Sequence, residues 1–169
     1  MQTKTEKFTF KDTGVSVEIR KVSPMLGAQL VRIMPPPKPP MQDILDEDTG
    51  KVLRREPNRS HPDYLEKLNE YNTKLNDQTQ KILIERGVVT ALGDEEKAAV
   101  KELREWWADN VKEGGKATTL PESDKLVYIM FIAAGSLDDI EELTSAILFR
   151  SQPTEEGQAQ AKDLFPDKV

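Results

Sequence analysis

Residues 124–149, DKLVYIMFIAAGSLDDIEELTSAILF, decide the fold. The run Leu126–Ala134 is apolar almost without interruption, and a helix apolar nearly all round is buried on most sides. This segment is expected to be the central core helix. Gly135 ends it. Ser136 then reads as an N-cap, with Asp138, Asp139 and Glu141 placed near the positive end of the next helix dipole. Leu137, Ile140, Leu143, Ile147 and Leu148 would line the inner side of that helix. A last short helix is expected from Pro153 to Phe165.

Upstream, Leu120-Pro121-Glu122-Ser123 opens the core helix. Before it, Gly93-Asp94 starts a helix with acids in its first turn. Val100, Leu103, Trp107 and Val111 form its face, widened by Ala99 and Trp106, and Gly114-Gly115 ends it. A longer helix opens at Pro62-Asp63, with Ser60 as cap, and closes at Arg86-Gly87. Tyr64, Leu68, Tyr71, Leu75 and Ile82 recur along it with heptad-like spacing, which suits a helix packed on its own domain.

The first sixty residues differ in character. Residues 7–22 predict a hairpin: Phe8 and Phe10, then Val15, Val17 and Ile19, alternate with polar residues around Asp12-Thr13-Gly14. Ser23-Pro24 begins a short helix over about 24–34, with Leu26, Leu30 and Ile33 on one stripe. Pro35-Pro36-Pro37-Lys38-Pro39-Pro40 stops it, and five prolines in six residues predict stiff polyproline II. The turn Asp46–Gly50 would join short extended segments at 42–45 and 51–55. The expected class is therefore α+β, mainly α. It has an N-terminal hairpin unit (1–34), a proline-rich arm (35–60) and a helical domain of about five helices (61–169).

Composition narrows the function classes. The chain has 169 residues, no cysteine and one histidine, so disulfides, thiolate nucleophiles and zinc–thiolate sites are excluded. Residues 1–60 carry 11 basic and 8 acidic side chains, leaving 13 and 22 for residues 61–169. So acidic a body repels phosphate backbones, and no nucleic-acid partner is expected. Arg54, Arg55 and Arg59 read as a solvated basic loop. The start MQTKTEKFTF has no signal-peptide pattern, and nine apolar residues fall well short of the roughly 20 that span a bilayer, so no membrane association is expected.

Nor does a reaction announce itself. His61 has no evident triad or metal partners. Phosphate-loop, dinucleotide, nucleophile-elbow and zinc-helix motifs are absent. Asp43–Gly50 fails as a calcium loop, because counting from Asp46 puts glycine at position five and Pro57 at position twelve. The pairs Asp138/Asp139 and Glu141/Glu142 are explained by their place in a first helical turn. We therefore expect no enzyme and no cofactor or metal, but a protein that binds other chains. Pro36-x-x-Pro39 and Pro37-x-x-Pro40 fit the form read by aromatic grooves, or a spacer. Trp106 and Trp107 point about 100° apart on a helix, so either one of them is a surface anchor or two neighbouring helices cover both. The expected protein-binding anchors are Trp106, Trp107, Ile147, Phe149 and Phe165, and self-association through the arm is also expected.

The order of features resembles the tail assembly chaperones of long-tailed (siphovirus-like) bacteriophages. The resemblance runs through KFTF and VSVEI, the proline arm, GKVLRREPNRSHPDYLEKLNEYN (50–72), LIERGV (83–88), the segment quoted first, and PTEEGQAQAKDLF (153–165). It is one of overall pattern and spans most of the chain. It implies a protein of the host cytoplasm, absent from the mature virion. Such a protein binds the tape measure protein and keeps it soluble until tail tube protein polymerises around it. The tube contact can run through a longer, frameshifted product. A structural tail or head–tail completion protein retained in the particle is the alternative.

Overall fold

The computed structural model describes residues 4–149 apart from 24, 114, 115 and 118. The fold is α+β and mainly helical. The described residues divide into two compact units, residues 25–79 and the flanking segments 4–23 and 80–149. This is not the three-part division expected from the sequence, since the N-terminal hairpin belongs with the C-terminal helices.

In the larger unit, β1 (Glu6–Thr9) and β2 (Ser16–Ile19) pair antiparallel, with Phe8 opposite Val17. Gly14 takes φ +72° at the turn, a backbone conformation open to glycine at no steric cost. Its N–H donates to Phe10 O at 2.9 Å. Alternation puts Phe10, Val17 and Ile19 in the core. The outer edge of β2 is not left bare. Arg20 N–H donates to Gly87 O at 2.7 Å, and Val89 N–H donates to Glu18 O at 2.9 Å. The Thr90 hydroxyl accepts from Glu18 N–H at 2.6 Å.

The helices are α2 (Pro62–Gly87, of which 80–87 lie in this unit), α3 (Asp94–Asn110), α4 (Asp124–Tyr128) and α5 (Leu137–Phe149). Ser123 caps α4 by accepting from Leu126 N–H at 3.4 Å, and Ser136 accepts from Asp139 N–H at 3.3 Å at the start of α5. Lys125 Nζ reaches Glu85 O and Val88 O, both at 3.1 Å. It thereby places a cation on the carbonyl end of α2, where the dipole favours it. At the same end Gly87 is buried, and a Cβ there would sit 2.7 Å from Ile147. Only glycine lets α2 and α5 approach this closely.

Two expectations are corrected here. The core segment is not one α-helix: after Tyr128 it widens into a π-helical turn over Ile129–Ala133, closed by Ala134 N–H to Ile129 O at 3.1 Å. Leu126, Val127, Ile129 and Ala133 are buried, but Phe131 on this turn stays exposed. Second, α3 ends at Asn110 rather than at the glycines. Asn110 Nδ2 donates to Trp106 O at 2.8 Å, and Val111, β-branched, turns extended. A short ribbon follows, β5 (Lys112–Glu113) on β6 (Lys116–Ala117).

The smaller unit contains α1 (Met25–Ile33), β3 (Met41–Leu45), β4 (Val52–Pro57) and the first part of α2. β3 and β4 form an isolated antiparallel pair with an irregularity between Ile44 and Leu45, and neither strand has a buried residue. The expected stripe on α1 is also corrected: Leu30 is buried and Leu26 half-buried, but Ile33 is 75% exposed. The Tyr71 hydroxyl ties α2 to the end of α1 by donating to Met34 O at 2.8 Å. His61, not Ser60, holds the cap position of α2. Its carbonyl accepts from Leu65 N–H at 3.0 Å, while Ser60 N–H is engaged by Asn58 Oδ1 at 3.1 Å.

Candidate protein-binding surface

Polar side chains that could have carried chemistry are engaged in holding the backbone. Asp139 is buried, and its two oxygens accept from Lys11 N–H at 3.1 Å and Gly135 N–H at 2.9 Å. Lys11 also pairs with Glu142, whose carboxylate raises the lysine pKa by hydrogen bond and charge. Asp46 Oδ1 accepts from Thr49 N–H at 2.7 Å, Thr49 Oγ1 at 2.8 Å and Asp48 N–H at 3.1 Å. That is an Asx-type turn built by one carboxylate. These bonds, the Thr49 hydroxyl first, hold the Asp46 pKa below its ordinary value. The basic cluster is partly neutralised within its own hairpin, Arg55 by Asp43 at 2.6 Å and Arg54 by Glu56 at 3.3 Å. Among the described residues no group of three or more His, Asp and Glu could hold a metal ion, and no helix is long and apolar enough to cross a membrane.

The five expected anchors separate. Trp106 is 55% exposed. Trp107 is half-buried and stands edge-on to Phe131, with ring centroids 5.5 Å apart. Ile147 is withdrawn as a contact residue because it is fully buried beside Gly87. Phe149 is the last residue of α5, and its side chain lies outside the described set, as does Phe165 altogether. The structure thus brings Trp107 to Phe131, a residue the sequence reading had assigned to the core.

Most of the exposed apolar side chains lie elsewhere and were missed. Among the described residues sixteen apolar side chains are buried, and of these only Leu30 belongs to residues 25–79. Of the twelve large hydrophobic side chains that stay exposed among the described residues, eight belong there: Met25, Val31, Ile33, Met41, Leu45, Val52, Leu53 and Leu65. The signal was present in the sequence. Two short strands, each with a few apolar residues and flanked by prolines, have no third strand or covering helix in the pattern, and an isolated hairpin has nothing to bury its apolar side chains against.

Comparison with protein-family models, with curated proteins and with solved structures finds no match to this chain.

Proposed function

We propose that this protein is a tail assembly chaperone of a long-tailed phage, holding apolar helical segments of the tape measure protein on the exposed side chains of residues 25–79 until the tube forms around them. The observation that carries this reading is the contrast between the two units. One holds nearly all of the buried apolar side chains, and the other holds most of the exposed ones. Exposed apolar side chains that gather into a patch mark places where another chain binds. An amphipathic helix laid into such a surface is a common mode of recognition. The charged residues, 32% of the chain, would keep the complex soluble. The resemblance in feature order supports the same reading. Client contact moves, relative to the sequence expectation, from the C-terminal bundle to α1 and the β3–β4 pair.

Co-expression with the product of the long coiled-coil reading frame expected directly downstream tests this. Ile33→Glu combined with Leu53→Glu should leave the fold intact, since both side chains already face solvent. The wild type should keep the client in the soluble fraction, and the double variant should release it to the pellet. A client equally soluble with the folded double variant refutes the assignment.

A further inference from the structure

One row of backbone groups on β3 has no partner. Asn58 N–H donates to Pro40 O at 2.7 Å, and Asp46 N–H donates to Lys51 O at 2.8 Å. In an antiparallel pair every second residue turns its N–H and C=O toward the neighbouring strand. Gln42 and Ile44, which share the parity of Pro40 and Asp46, therefore turn theirs toward β4. Met41, Asp43 and Leu45 turn theirs outward. Among the described residues nothing pairs with these three outward sets of backbone groups.

Other edges are guarded. The outer edge of β2 is covered by residues 87–90. β4 carries Arg54 and Arg55 and ends at Pro57, which has no N–H to offer. It also holds an extra residue, Leu53, where the register passes from Ile44 opposite Arg54 to Leu45 opposite Val52. Charge, proline and bulges are the devices that keep an edge from pairing with a further strand. β3, MQDIL, contains no proline and no lysine, and the extra residue is not on it.

The side chains along this edge define what fits it. Met41, Asp43 and Leu45 share one face, and all three are exposed. A second copy of β3 laid antiparallel, with Met41 matched to Leu45, would set Asp43 directly opposite Asp43. Like charges facing each other across a ladder are destabilising. A segment with apolar, basic and apolar residues at alternate positions matches all three instead. Its cation would join Arg55, 2.6 Å from the Asp43 carboxylate on the other side.

We infer that the outer edge of β3 accepts an extended segment of a different protein as a third strand, with a basic residue opposite Asp43 and apolar residues opposite Met41 and Leu45. Main-chain hydrogen bonds hold such a strand, and alternate side chains select it. The contact needs no helical client and uses neither Ile33 nor Leu53. It can therefore fail while the reading above survives, and the reverse.

The probe is a capped synthetic peptide, Thr-Val-Thr-Lys-Thr-Val-Thr, added to the full chain, with amide exchange read by NMR. When about nine-tenths of the protein is occupied, exchange at Met41, Asp43 and Leu45 should slow about tenfold, because only the free edge exchanges. Gln42 and Ile44, which already face β4, should change little. Glutamate in place of the peptide lysine should weaken binding about fivefold, the scale of one cross-strand charge pair. Asp43→Lys should reverse that preference, and unmoved amide shifts at Asp48 and Thr49 show that its hairpin is still formed. If that variant hairpin is lost, the peptide series decides alone. A peptide N-methylated at its lysine keeps every side chain but loses the hydrogen bond to Asp43 O, and should bind about fivefold more weakly or worse. The inference is overturned by no binding at about 2 mM peptide, by slowing that does not favour the three outward amides, or by glutamate or N-methylated peptides that bind as tightly as the parent. Slowing that grows with protein concentration and needs no peptide would place a second copy on the edge, and overturns it as well.

Discussion

Asp139 joins three pieces of backbone through one side chain. Its carboxylate accepts from the hairpin turn at Lys11 and from Gly135, and its own N–H is capped by Ser136. Buried acceptors of this kind matter most when removed, because the donors left behind have no water to turn to. Asp139→Ala should therefore cost about 2–4 kcal/mol, for two orphaned N–H groups, and lower Tm by roughly 5–12 °C. Thermal circular dichroism checks it, and a shift under about 2 °C would show that the carboxylate is not a staple. Gly135 belongs to the same junction, since a Cβ there would lie 2.5 Å from Asp12 Cβ. The sequence reading found Asp139 for its place near a helix dipole. It had no means of finding Lys11, 128 positions away.

At the scale of elements, the β3–β4 pair is held by its turn and by the cross-strand Arg55–Asp43 ion pair rather than by a core. Asp46 organises that turn, and Gly50 completes it at φ +67°. The folded pKa of Asp46 is depressed, chiefly by the Thr49 hydroxyl. The stabilisation it supplies is therefore present above the ordinary carboxylate range and lost as pH falls through the lower folded value. The Asp48 and Thr49 amide shifts, followed by NMR through an acid titration, should move with a midpoint below that of an ordinary aspartate. Thr49→Val should bring the midpoint back up, and an unmoved midpoint would remove the hydroxyl from this role. The Asp46–Gly50 turn and both strands were legible at nearly the expected positions. The π-turn at 129–133 was not. An unbroken apolar run reads equally well as α or π.

For the whole molecule, burial is uneven, and stability should be uneven with it. Amides of β3 and β4, which have no buried side chains, should exchange at least about a hundredfold faster than those of Leu83, Ile84, Val127 and Leu143. Hydrogen exchange read by mass spectrometry tests this. Equal protection across residues 41–57 and 124–147 would mean that the two units share one cooperative core. A unit of low local stability with exposed apolar side chains is suited to moulding around a helical client. The same unit is the one the proposed function assigns to the tape measure protein.

The sequence by itself determined the class and order of the elements, because period-two and period-3.6 apolar patterns, serine caps, glycines and prolines act within a few residues of one another. It also determined the absence of cysteine chemistry. The tertiary structure alone decided which apolar residues are spent on folding. Ile147 and Ile33 look alike in a helical stripe, but one meets Gly87 at the end of α2 and the other meets solvent. Burial depends on what arrives from a distant part of the chain, and local pattern carries no information about that.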